Sequence, residues 1–141
     1  HSDLRRQRQM CIRDSLDFQK REHEIETDFG YPMYAEGFRR AIEYASGFDV
    51  PIEVTENGVA DASDSLRPEH LMRHIWILSE AIKDGHDVKS FHYWSLMDNF
   101  EWAEGYSMRF GLYEVDYENQ TRSLRQSGEI YRDLIKSQLK R

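Results

Sequence analysis

The chain has 141 residues, 39% hydrophobic and 13% aromatic, which is enough to bury a core and too apolar for a disordered segment. Its formal net charge is −7, and no Lys/Arg stripe interleaves with aromatics, so composition argues against a nucleic-acid partner and against an anionic membrane surface. Cys11 is the single cysteine, which excludes a disulfide framework or cysteine metal cluster within the chain, and no apolar run reaches membrane-spanning length.

Residues 1–15, HSDLRRQRQMCIRDS, carry neither helical nor strand periodicity, and four arginines against two aspartates set them apart from the acidic remainder. They read as a foreign or disordered arm, similar to translated adapter sequence, and residues 16–141 read as part of a single domain. No signal peptide is visible, so a cytoplasmic location is the expectation.

Leu16 to Phe29 is charged and irregular and ends in Thr27-Asp28-Phe29-Gly30, a loop leading to a helix. Tyr34, Phe38, Ala41, Ile42 and Ala45 form an amphipathic helical stripe with Pro32 near its start and Gly47 as its stop. Val50 to Thr55 is a β-rich run in which Ile52, Val54 and Glu56 share one face by the two-residue alternation of a strand. Asn57-Gly58 should break it, glycine accepting positive φ. After a polar loop, Pro68 opens a second helix with the stripe Leu71, Ile75, Leu78 and Ile82, and Gly85 ends it. Val88 to Trp94 is the next strand, with Val88, Ser90, His92 and Trp94 on one face. An aromatic loop, a strand-like piece from Phe110 to Val115 and a turn at Glu118-Asn119-Gln120 follow. The last helix starts near Ser127 and turns Ile130, Leu134, Ile135 and Leu139 inward.

The order helix, strand, helix, strand, helix has connections long enough for parallel crossovers. The unusual residues follow the strand ends, where an α/β barrel places its active site. A closed barrel takes about 250 residues. The fold class is therefore α/β, the last two to three β/α units of a (β/α)8 TIM barrel.

Two runs carry the chemistry: PIEVTENG, containing Glu56, and YWSLMDNFEWAEGY, containing Glu101 45 positions later, followed by RFGLYEVDY and a final helix. Tryptophan faces cover the C–H patches of sugars while carboxylates accept hydroxyl protons, so the pairing suits a polyhydroxylated ligand. From about Thr27 to Lys136 these runs, in this order and spacing, resemble the carboxyl-terminal portion of glycoside hydrolase family 1, the β-glucosidases and their relatives.

The resemblance implies that Glu56 is the nucleophile of a retaining double displacement, with a second, protonated carboxyl about 5–5.5 Å away. It implies that Glu101 and Trp102 bind hydroxyls of the nonreducing sugar, that Trp94 forms the platform beneath it and that Phe110 lines the pocket. Taken singly, Glu56 would be a solvated acid and Trp94 and Phe110 core aromatics; their joint occurrence in the runs favours the site. Asp98 and Asn99 should shape the loop through bonds to nearby backbone. Where relatives acting on 6-phosphorylated sugars carry a serine and lysine arrangement, this chain has Glu101, which would repel a phosphate. The family's acid/base glutamate belongs to an Asn-Glu-Pro motif that is absent from this sequence.

No cofactor is expected. His92 should fill the barrel interior with its polar atoms satisfied. His70 and His74 lie four apart, as zinc ligands can, but HLMRH lacks the metalloprotease glutamate and its face should point away from the site. Asn119-Gln120-Thr121 has the form of a glycosylation sequon. The expected partner is a small-molecule or oligosaccharide β-glycoside, unphosphorylated, handled by a β-glucosidase-like enzyme whose acid/base residue lies outside this sequence. The alternatives are a noncatalytic glycosidase-like carbohydrate-binding or receptor domain, and an unrelated barrel with a chance motif. An intact Asn-Glu-Pro glutamate upstream would favour the enzyme.

Overall fold

The computed structural model describes residues 25–138. The arm at residues 1–15, with Cys11, and the inward position expected of Leu139 lie outside the described residues. In chain order the elements are α1 (Ala35–Ser46), β1 (Ile52–Asn57), α2 (Arg67–Lys83), β2 (Val88–Tyr93), β3 (Tyr113–Val115), β4 (Arg122–Leu124) and α3 (Gln126–Gln138). β1 and β2 pair in parallel across the α2 crossover, while β3 and β4 form an antiparallel hairpin.

The helices cover one face of the parallel pair. Phe91 of β2 meets Phe38 of α1 and Tyr131 of α3, both at 6.4 Å between ring centroids, and Tyr93 lies 6.1 Å from Tyr131. Val54 sits beside Phe91 in the register, and lateral neighbours in a sheet share a face, so Val54 also points toward the helices. Alternation then fails at the strand tip. Val54 pairs with Phe91 and Asn57 with Tyr93, so β1 has one residue more than β2 across this step, the signature of a bulge. Glu56 therefore does not share the face of Ile52 and Val54 as expected. Those two are half-buried, whereas Thr55 and Glu56 are exposed opposite the helices. A second irregularity, between Ile52 and Glu53, likewise removes Val88 and Ser90 from one common face. His92, expected to be enclosed, is exposed because among the described residues nothing packs across the inward face of the two-stranded sheet.

α2 departs from its apolar stripe. Its buried residues are Arg67, His70, Leu71, His74, Ile77 and Ala81, while Ile75 and Leu78 are half-buried and Ile82 is exposed. Of these polar side chains, Arg67 is tied to the acidic loop at the helix start. Asp61 accepts hydrogen bonds from the N–H groups of Leu66 (2.8 Å) and Arg67 (2.9 Å), placing a carboxylate where the helix dipole favours one. Asp64 accepts from Arg67 and from the N–H (3.0 Å) and Oγ (2.6 Å) of Ser127, so one carboxylate joins the beginnings of α2 and α3. Gly85 ends α2 as expected, in the left-handed region at φ 95°.

The strand expected from Phe110 shortens to three residues, because Phe110 and Leu112 bond to Ser95 instead: Ser95 N–H donates to Phe110 O (3.3 Å) and Leu112 N–H to Ser95 O (2.9 Å). Its partner β4 went unpredicted. α3 packs its start most closely, through Ser127 and Gly128, and leaves Ile135 exposed.

Candidate active site

Glu56, Trp94, Glu101 and Phe110 line one concavity of about 540 Å³ beyond the ends of β1 and β2. Glu56 arrives there through the bulge, which turns its carboxylate to the open face of the sheet. Trp94 follows β2 directly. Its N–H donates to Asn57 O (3.0 Å), so the two strand tips are laced together one residue beyond Glu56. The Trp94–Ser95 peptide bond is cis.

Gly58 has a different role from the one expected. It is not at positive φ; a Cβ there would stand 1.7 Å from the Trp94 carbonyl oxygen. Only a residue without a side chain lets the β1 tip approach Trp94 this closely.

The Trp94 indole Nε1–H donates to Glu101 Oε1 at 3.2 Å, which fixes the plane of the ring relative to the carboxylate. Glu101 begins a tight turn, its N–H bonded to Gly105 O (2.7 Å). Trp102, in that turn at φ 48°, is 78% exposed and is not among the residues lining the concavity. The structure thus brings together four of the five residues expected to act on a sugar and holds the fifth beside them in sequence but outside the hollow.

Asp98 organises the loop that carries Glu101. It is buried and accepts from Gly111 N–H (2.9 Å), Val115 N–H (3.2 Å), both terminal nitrogens of Arg125 (2.9 and 3.0 Å) and Arg109 (3.3 Å). Burial alone would raise its pKa, but the hydrogen bonds from Arg125 and Gly111 hold the carboxyl below the usual carboxylate range. Asn99 does smaller work of the same kind, its Oδ1 accepting from Ser95 Oγ at 3.2 Å.

Periodicity did not locate the far wall, and it placed Tyr34 in a helical stripe although the helix begins at Ala35. Phe29, Tyr31, Pro32 and Tyr34 line that wall from an irregular loop. That loop is tied to the β1 exit by Asp28 N–H donating to Ala60 O (3.0 Å) and by Asp28 Oδ2 accepting from Ala62 N–H (2.6 Å). Phe29 stacks on Tyr31 (5.1 Å) and lies 6.3 Å from Phe110. The one available hint was the density of aromatics between residues 29 and 34.

The histidine pair also differs from expectation. His70 and His74 are buried, stack at 3.9 Å and line the same concavity rather than facing away from it. No group of three or more His, Cys, Asp or Glu that could hold a metal occurs among the described residues.

The sequence profile of Glycosyl hydrolase family 1 matches residues 4–139. The chain belongs to that family. A β-galactosidase of Pyrococcus woesei is 44% identical over 110 residues, covering 77% of this chain and 22% of that protein. The crystal structure of a hyperthermophilic β-glucosidase from Pyrococcus furiosus superposes with TM-score 0.79 at 42% identity, over 81% of this chain and 24% of that one. A Thermotoga maritima β-glucosidase solved in complex with a galacto-hydroximolactam gives TM-score 0.81 at 34% identity, over 85% of this chain and 30% of that one. The chain therefore spans less than a third of these family 1 relatives, and its β/α units are a carboxyl-terminal part of the (β/α)8 barrel. The chemistry associated with the family is glycoside hydrolysis.

Proposed function

We propose that this chain is the carboxyl-terminal part of a retaining β-glycosidase in which Glu56 is the nucleophile and Trp94, Glu101, Trp102 and Phe110 hold the nonreducing sugar. The observation that carries the reading is the shared hollow: a carboxylate from one strand tip and a tryptophan–glutamate pair from the next face the same space.

In the first step the Glu56 carboxylate attacks the anomeric carbon, and the glycosidic bond breaks as its oxygen takes a proton from a second carboxyl group. In the second, that group removes a proton from water, which displaces Glu56 and restores the anomeric configuration. This sequence has no Asn-Glu-Pro, so the proton donor comes from an earlier unit of the complete barrel. Hydrogen bonds from sugar hydroxyls to Glu101 strengthen as positive charge develops on the ring, so binding there favours the transition state. In this reading Trp102, next to Glu101 on the same turn, donates its indole N–H to a neighbouring hydroxyl. The Glu101 carboxylate disfavours a phosphate dianion, and unphosphorylated β-glucosides or related sugars are the substrate class.

The test is covalent trapping in the complete protein. A 2-deoxy-2-fluoro β-glucoside with a good leaving group should add one glycosyl mass to the peptide containing Glu56. Glu56→Gln should abolish labelling and lower turnover by at least about a thousandfold. Labelling of another residue, or unchanged turnover in the variant, would reject the assignment.

A further inference from the structure

The outer face of α2 carries a pattern that neither the barrel nor the catalytic site uses. Inward, α2 buries Leu71, His74 and Ala81; α1 packs on one flank and α3 on the other. Both helical neighbours that a barrel helix has are thus already in place. Among the described residues nothing covers the side opposite the core, where Trp76 (64% exposed) and Met72 (46%) stand between charged residues. Glu69, Met72, Trp76, Ser79 and Lys83 recur at alternating steps of three and four, one continuous seam along the helix.

The charges on this seam are arranged symmetrically about Trp76. Glu69 and Lys83 each lie seven residues from it, ~10.5 Å along the axis in opposite directions at 1.5 Å per residue. Beside them stand Arg73, paired with Glu69 at 2.6 Å, and Glu80, paired with Lys83 at 2.7 Å. A two-fold axis through Trp76 that sets a second α2 antiparallel to the first places Glu69 against Lys83 of the other copy and Arg73 against Glu80, with the indoles meeting at the centre. Parallel pairing would oppose Glu69 to Glu69 and Lys83 to Lys83. A patch complementary to itself under a two-fold rotation is the defining property of an isologous interface.

We infer that the outer face of α2 is a homodimer contact, two copies pairing antiparallel through Trp76 with Glu69–Lys83 ion pairs at both ends. One helix face is smaller than the roughly 1,200–2,000 Å² of stable interfaces, so the dimer is weak and reversible. The inference uses only the place of α2 in the barrel and is independent of the glycosidase reading.

Sedimentation velocity of the complete protein over a concentration series at low salt tests it, with the expected monomer–dimer equilibrium in the micromolar range. Trp76→Ala should raise the dissociation constant more than about tenfold. Glu69→Lys should weaken the dimer by bringing lysine onto Lys83, and the double variant Glu69→Lys/Lys83→Glu should restore it. All three positions are exposed and outside the catalytic hollow, so turnover per site should stay unchanged. A protein monomeric throughout the series would overturn the proposal, as would a dimer indifferent to Trp76→Ala and Glu69→Lys. Failure of the double variant to recover what Glu69→Lys loses would reject the antiparallel register.

Discussion

Single residues at the two strand tips decide whether the hollow exists. Glu56 is the nucleophile under the proposed reading, and Gly58 decides how near its strand tip stands to Trp94, because the space a Cβ would need is occupied by the Trp94 carbonyl oxygen. Gly58→Ala should therefore force backbone apart, at a cost of about 1–3 kcal/mol or more. In the complete protein, turnover per folded molecule should also fall, since the proposed nucleophile and sugar platform move relative to one another. Gly85→Ala is the contrasting case. Its φ of 95° is strained for alanine but the space beside it is open, so stability should drop while turnover per folded molecule holds. Denaturant midpoints and kcat for both variants separate the two roles.

At the scale of the element, α2 buries polar side chains, and several of them are held by the helix and the loops around it. His74 Nδ1 bonds to the His70 carbonyl oxygen at 2.7 Å, and Arg67 is committed to Asp64 and the loop carbonyls. Burial, with the nearby His74 and Arg67, pushes His70 down to about 3. The folded protein thus keeps this ring neutral where an unfolded chain, with an ordinary value near 6.5, takes a proton. The stability linked to His70 is complete above about pH 6.5 and is lost progressively as pH falls from there toward 3. Thermal unfolding of wild type and His70→Phe across that window should show a shallower pH dependence in the variant. Identical slopes would mean that His70 is not a source of the acid sensitivity.

For the whole molecule the decisive fact is the open inward face. Glu56, His92 and Trp94 are exposed on a two-stranded sheet that a closed barrel would enclose. Closure takes about 250 residues, and this sequence contains no Asn-Glu-Pro, the motif that under the proposed mechanism supplies the proton donor. The 141-residue polypeptide alone should bind a hydrophobic dye such as ANS and should show no turnover of an aryl β-glucoside. Measured turnover by the isolated chain would contradict the need for an acid/base residue from elsewhere in the barrel.

The order of helices and strands, the parallel crossover and the presence of acids and tryptophans after the strands were all legible along the chain. Each depends on local periodicity or on residues close together in sequence. The bulge that turns Glu56 away from Val54, the reason for Gly58, the burial of Arg67 and the histidines, and the aromatic wall from residues 29–34 were not legible. A linear reading assigns a residue to a face by its own period. Which face is buried, and which backbone atom already fills a space, is set by segments tens of residues away, and only the tertiary structure brings those into contact.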